Sequence, residues 1–416
     1  MSERTTDRWL ERMRSTKAPD DGPKRGMTPD RLVGWSGVAL AVVAFIITLP
    51  PFTVRTWVPT LLLALIAAAL GGQCLRMGGE KRLGWATIVA AALAFFLGWA
   101  ATQSGVTNLE AVVSWGALLA ATLRYAAPLL LAGLGGLVSE RSGVVNLALE
   151  GMMLMGAFFG AYGAAKSGSW VVGVLLAVAA GMVLALVHAI FSVSLRSDQI
   201  VSGTALNFIA LGLTGYLYVQ LFGGEGTPPD LAAVPDLKLP IDNITFVGDA
   251  LHKQNLLVWA ALIAVPVVWV VIFRTAGGLR LRSVGENPRA AETVGVRVLT
   301  TRYVAVIASG GLAALGGAFL SIGFVHSFSP NMTAGKGFIA LAALIFGRWK
   351  PMGVLGATLL FGASSAVAQR LPAFSEQAAT LFQALPYVLT LIAVAGLVGR
   401  STPPAADGIP YRREAA

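Results

Sequence analysis

The chain has 416 residues, 56% hydrophobic and only 12% charged, about half the charge of a soluble domain, which excludes an ordinary pair of water-soluble domains. Its mean hydropathy is +0.71, and its 48 glycines and 20 prolines are tolerated in membrane helices, where Gly lets backbones approach. Basic residues outnumber acidic ones by 31 to 21, the single Cys74 excludes an intrachain disulfide, and His188, His252 and His326 form no zinc-spaced cluster.

A membrane span needs about 20 apolar residues. Residues 1–31 are polar, with eight Lys/Arg and no apolar stretch near Met1, and so predict a cytoplasmic tail rather than a cleaved signal peptide. Runs without Asp, Glu, Lys or Arg follow at Leu32–Val54, Thr56–Leu75 and Leu83–Leu109. Tyr125–Ser139, bounded by Arg124 and Glu140, and Gly151–Ala165, bounded by Glu150 and Lys166, predict spans that each carry a charge. Ser167–Leu195, Gln199–Gly224, Gln254–Phe273 and Tyr303–Gly335 are full-length runs. Gly337–Gly347 is too short to cross alone and predicts a re-entrant segment or half of a broken helix. Pro351–Gln369 and Gln377–Gly399 complete twelve segments.

Starting inside, twelve segments place Arg76/Lys81/Arg82, Arg196, 274–302, Arg348/Lys350 and the tail 400–416 all inside, as the positive-inside rule asks. The long loop 223–253 falls outside and carries Glu225, Asp230, Asp236, Asp242 and Asp249 against Lys238 and Lys253. Basic charge therefore marks topology, and no nucleic-acid partner is expected.

The loop 274–302 has Gly277–Gly278 as a breaker, then a predicted short helix with Asn287 as N-cap, Pro288 in the first turn and a stop at Gly295. Such a helix suits docking onto a soluble partner. Equally, Arg280, Arg282, Arg289 and Arg297 suit adsorption to anionic lipid, and charge alone puts the lipid reading first.

LRLRSVGENPRAAETVGV in this loop resembles the coupling-loop signature of ABC-importer permeases of the ribose, branched-chain amino acid and nucleoside group. Ala127–Phe158, Arg196–Gly212, Gly335–Ala357 and the terminal Gly408–Tyr411 (GIPY) are similar to one branch, the simple-sugar/nucleoside permeases that work with a basic-membrane-protein-type binding lipoprotein. The likeness spans about residues 113–411, in family order.

The resemblance implies an all-α polytopic membrane protein: a ten-span core, 113–399, with Gly-rich broken or re-entrant helices, and about two extra spans in 32–112. It implies a bacterial inner-membrane subunit with both termini cytoplasmic, forming a path for nucleosides or simple sugars by alternating access. The implied partners are a second related permease, a cytoplasmic ATP-binding subunit, an extracytoplasmic substrate-binding lipoprotein and the lipid bilayer. Gly285, Glu286, Asn287, Pro288, Ala290, Ala291 and Gly295 are then the ATPase-coupling residues, with Ala290 and Ala291 allowing close approach. No cofactor, metal or catalytic residue is expected in the chain. Ala334–Gly335–Lys336–Gly337 ends in Gly where a phosphate loop needs Ser or Thr, so it is not one.

Ionisable residues inside a span normally face protein or a wet path. Glu150, with Asn146 four residues earlier on the same helix face, reads either as a polar patch on the substrate route or as a carboxyl buried against helix termini or Arg124. Asn207 must fill four hydrogen-bonding sites and joins Thr204 as a path candidate, although Ser202 and Thr204 commonly bond their own backbone. His188 reads as a packing residue, His326 and Asn331 as water-satisfied at a span's outer end, and Glu140–Arg141 as a solvated pair or hinge. The small-residue groups Gly133/Gly135/Gly136, Gly156/Gly160/Gly163 and Gly310/Gly311/Gly316/Gly317 read as close helix contacts or hinges. An ion-coupled secondary transporter is the alternative; it has no need of a docking helix. An intramembrane enzyme or a selective channel would need a metal, nucleophile or filter motif absent from the chain.

Overall fold

The computed structural model describes residues 28–48, 56–78, 81–102, 115–223, 226–228, 231–241, 247–370 and 402–412. The basic tail 1–27 and the segment Gln377–Gly399 lie outside the described residues. Eight helices among the described residues are long and apolar enough to cross a bilayer. The chain divides into two compact units, residues 1–102 and 103–416.

The first unit holds α1 (Pro29–Ile46), α2 (Trp57–Arg76) and α3 (Lys81–Thr102). Their buried positions are small: Gly34, Gly37, Ala41 and Ala44 in α1, and Thr60, Ala64, Ala67, Gly71 and Cys74 in α2. Gly84, Thr87, Ala91, Ala94 and Gly98 continue the pattern in α3. This three-and-four spacing lets the backbones approach, while Trp35, Trp57, Leu62, Leu65, Trp85 and Trp99 point away from the bundle.

The second unit begins with α4 (Trp115–Glu140), α5 (Leu149–Ser167), α6 (Trp170–Ala189, continued by a π turn to Ser194) and α7 (Gln199–Phe222). The acidic loop forms a small antiparallel hairpin, β1 (Asp236–Lys238) with β2 (Lys253–Asn255), around α8 (Val247–Leu251). Asn255 caps α9 (Leu256–Arg274) through Leu257 N at 2.9 Å. Then come α10 (Ala276–Glu286), α11 (Pro288–Thr293), α12 (Val298–Ala318, with a π extension to Val325), α13 (Lys336–Phe346) and α14 (Pro351–Arg370).

Helix α12 packs on α4, α5 and α6. Its approach to α5 requires glycine: a methyl on Gly317 would lie 1.8 Å from the Met153 carbonyl oxygen, and one on Gly156 would lie 2.2 Å from that of Ala314. These glycines therefore serve the tight contact expected of them.

The 11-residue α13 is about half a membrane span, so the short run 337–347 is a half helix. It is reached through His326, Asn331 and Ala334, all at positive φ, ending at Gly335 with φ +84. Such left-handed residues cost about 1–2 kcal/mol each without glycine, so their surroundings must hold them.

Two expectations are corrected here. The break expected at Gly277–Gly278 falls just before them, at Thr275 between α9 and α10, and the two glycines lie in the first turn of α10, where Thr275 caps the Gly278 N–H at 3.0 Å. The chain folds back so sharply that a methyl on Gly278 would lie 2.1 Å from the Val271 carbonyl oxygen. Asn146 does not share a helix face with Glu150, because α5 starts at Leu149 and Asn146 lies in the preceding turn.

Candidate functional site

Glu150 sits in the first turn of α5 and is buried. Its Oε1 accepts the Gly335 N–H at 2.8 Å and its Oε2 the Gly337 N–H at 2.6 Å. The carboxylate thus fills the open N-terminus of α13, where free N–H groups and the helix dipole favour an anion. Gly337 is required by closeness, since a methyl there would stand 2.5 Å from the Glu150 Cα. Lys336 turns its Nζ to the Met332 and Thr333 carbonyls at 3.3 and 3.2 Å. Arg124 instead bonds Gln254 Oε1 and the Lys253 carbonyl, both at 3.3 Å. Glu150 is therefore held by a helix terminus.

The other polar candidates secure the same junction. Asn146 donates to Ser309 Oγ of α12 at 2.9 Å and accepts the Ala148 N–H at 3.1 Å. Asn207 of α7 donates to the Leu147 carbonyl at 2.9 Å and accepts the Gly151 N–H at 2.8 Å. Glu150, Asn146 and Asn207 thus tie the start of α5 to α13, α12 and α7 respectively. Thr204 stands apart, its hydroxyl bonding the Ile200 carbonyl of its own helix at 2.8 Å. His188 is fully buried with Nε2 at 3.1 Å from the Val145 carbonyl, the packing role expected for it.

At the basic end of the bundle, Glu140–Arg141 is not a solvated pair. Glu140 is 3% exposed and accepts the Trp349 indole N–H at 2.5 Å. Arg141 donates to the Trp349 carbonyl at 3.1 and 2.6 Å, and burial lowers the pKa of its guanidinium. Arg348 and Trp349 are consecutive residues at positive φ, a tight turn between α13 and α14 that buries the indole against Glu140 at the end of α4.

Alongside lies the loop α10–α11. Asn287 caps α11 through the Ala290 N–H at 3.1 Å, Pro288 occupies the first turn, and Gly295 ends the loop helix at φ +85. Gly285 is buried against the turn after α4, where a methyl would meet the Arg141 carbonyl oxygen at 2.2 Å. Glu286, Asn287, Ala290 and Gly295 are exposed, and Val294 is 78% exposed. Ala291 departs from the expected docking face: it is 2% exposed and packs inward with Val284, Val298 and Tyr411. The inward face of so short a helix needs a small residue for packing within the chain itself.

The family described as branched-chain amino acid transport system / permease component matches residues 118–394. The chain belongs to this permease family. It is 40% identical to the guanosine ABC transporter permease protein NupQ of Bacillus subtilis, over 71% of this chain and 96% of that one. It is 38% identical to the nucleoside ABC transporter permease protein NupC of Lactococcus lactis, with the same coverage. It is 42% identical to a putative glucose ABC transporter permease protein, TsgC13, of Haloferax volcanii, over 61% of this chain and 77% of that one. No solved structure matches the chain. The family match starts beyond α1–α3.

Several residues of this permease's polar junctions escaped the reading by motif. Motif alone gives Gly335 and Gly337 no role with Glu150, yet Gly-Lys-Gly before a short apolar helix is itself the signal of an exposed helix N-terminus. Trp349, Ser309 and Arg302 carry no local signal, because their partners lie far away in the chain.

Proposed function

We propose that the chain is the membrane-spanning permease subunit of an ATP-driven ABC importer for nucleosides or simple sugars. The nucleoside, guanosine and glucose permease names of its relatives support that substrate class. The single observation that carries the coupling role is the capped helix α11, presenting Ala290 and the 78% exposed Val294 to water beside Glu286 and Asn287. A bare valine flanked by small residues fits a cleft on a soluble ATPase subunit. The lipid alternative loses one of its cations, because Arg282 turns away, with Nε on the Ile272 carbonyl at 3.1 Å and its guanidinium over Phe273.

ATP is then hydrolysed on a separate cytoplasmic subunit beneath this chain and a second, related permease, while a lipoprotein delivers substrate at the acidic, extracytoplasmic end. The termini lie on the cytoplasmic side of the inner membrane. The half helix α13, with Glu150, Asn146 and Asn207 at its junction with α5, borders the path; Thr204, bonded to its own helix, is left out of it. Alternating access moves α13 relative to α5.

The test is uptake by proteoliposomes holding this chain, its second permease and the ATPase subunit, supplied with substrate-loaded binding lipoprotein. Uptake should require ATP, and Val294→Asp should lower it about tenfold or more by burying an unpaired charge at the docking face. Uptake driven by an ion gradient without ATP would instead establish a secondary transporter.

A further inference from the structure

We propose that the C-terminal segment 402–412 is a positioning clamp that fixes the loop α10–α11 to the end of the membrane bundle. The inference rests on the docking role given above to α11, and adds what holds that helix in place. Six residues are too few for a helix to stand alone in water, and Ala291 is the buried residue of α11. Its neighbours include Tyr411, 6% exposed, which closes a small apolar cluster with Val284, Ala291 and Val298.

The segment grips the loop at successive points. The Ala406 N–H donates to the Gly285 carbonyl at 2.8 Å, and the Ala405 N–H to Glu286 Oε2 at 3.3 Å. Tyr411 donates its hydroxyl to Glu292 of α11. On the bundle side, Arg302 of α12 is fully buried and donates from Nη1 to the Ile409 carbonyl at 3.0 Å. Gly143, in the turn after α4, leaves room for the Ala406 carbonyl and the Arg302 guanidinium, which a methyl there would meet at 3.0 and 2.8 Å. Asp407 faces the same guanidinium. One stretch of chain therefore ties the end of α10, α11 at Ala291 and Glu292, the first turns of α12 and the turn after α4 together. The Gly408–Tyr411 motif, otherwise without a role, supplies two of these grips.

Hydrogen exchange on the full-length chain in lipid nanodiscs, without the ATPase subunit, reads the clamp directly. Amides of residues 289–296 should exchange about tenfold faster in Tyr411→Ala and in a chain ending at Thr402, because local opening there becomes easier. Tyr411→Phe, which keeps the ring and loses the bond to Glu292, should raise exchange about threefold. Unchanged exchange in both Tyr411→Ala and the shortened chain overturns the clamp. In the assembled transporter, Tyr411→Ala should lower uptake about tenfold, since misplacing a docking element by an ångström is costly. Full uptake despite faster exchange overturns the positioning role. A wild-type chain that fails to bind the ATPase subunit overturns the docking reading instead, and leaves the exchange result standing.

Discussion

In α1–α3 the buried positions are Gly, Ala, Thr and Cys repeating at three and four residues, and large apolar side chains face outward. From α4 onward the helices also pack through glycine, but the bundle is interrupted: α5 starts after a polar turn, α13 is a half helix, and buried side chains include Glu140, Asn146, Glu150, Arg302 and Ser309. Continuous helices satisfy their own backbone and need only close packing in a bilayer. Broken ones leave helix ends that need partners, and the starts of α5 and α13 are each met by a side chain from another element, Asn207 and Glu150 respectively. Small-residue packing therefore builds a scaffold, whereas interruption with polar repair creates places where two arrangements can exchange.

The sharpest way to strengthen that contrast is at Gly337. Gly337→Ala sets a methyl 2.5 Å from the Glu150 backbone, so α13 must leave its seat; transport should vanish while the chain still reaches the membrane. Ala67→Leu, in the fully buried seam of α2, should cost about 1–3 kcal/mol of local packing and leave transport unaffected. Equal loss of transport in both would erase the distinction. Glu150→Gln is milder, because a single amide oxygen replaces two charged acceptors at the α13 terminus. Uptake should fall about tenfold to hundredfold, the worth of a charged hydrogen bond, and wild-type uptake would show that the cradle is not part of the moving path.

How far this was legible from the chain follows from the same contrast. Long apolar runs announce themselves because the bilayer demands length and composition within one segment, so each long described helix overlaps an expected run, although α4 begins at Trp115, before Arg124, and the short α8, α10 and α11 lie outside the apolar runs. Asn287, Pro288 and Gly295 were readable because a cap, a first-turn proline and a positive-φ glycine are local rules. Ala291 was misread because nothing local says which side of a six-residue helix faces the chain's own tail, more than a hundred residues on. Asn146 was misplaced because a fixed four-residue spacing assumes an unbroken helix. Glu140 was read as solvated for want of its distant partner, Trp349.

A smaller effect tests the repaired end at the C-terminal clamp. Burial pushes Asp407 from the ordinary carboxylate range up to about 7, partly offset by Gly408 N–H and Arg302. The ionisable groups facing it are Arg302 on α12 and Glu140 at the end of α4. A carboxyl whose value is raised in the docked state favours docking when protonated. Its contribution is complete below about pH 4 and is lost as pH rises through about 7. Relative to the intrinsic, hydroxide-catalysed exchange rate at each pH, the protection of residues 289–296 should therefore fall several-fold between about pH 6 and 8, and Asp407→Asn should flatten that profile. An unchanged slope in Asp407→Asn would show that Asp407 does not set it.

The smallest expected effect is the most direct attempt to break the comparison. The relatives NupQ and NupC are matched over 96% of their lengths by 71% of this chain, and the unmatched part is about as long as the segment before the family match at residue 118. The family match thus leaves α1–α3 out, and those helices bury no Asp, Glu, Lys, Arg or His side chain among the described residues. If they are scaffold alone, a chain beginning at Gln103 should insert, assemble and transport within about twofold of the full chain, since the residues proposed above to border the path all belong to the second compact unit. Reduced yield with normal transport per assembled complex would still fit a scaffold. Normal assembly with lost transport would mean that the small-residue helices take part in the moving machinery, and that continuity of a helix is no guide to its being static.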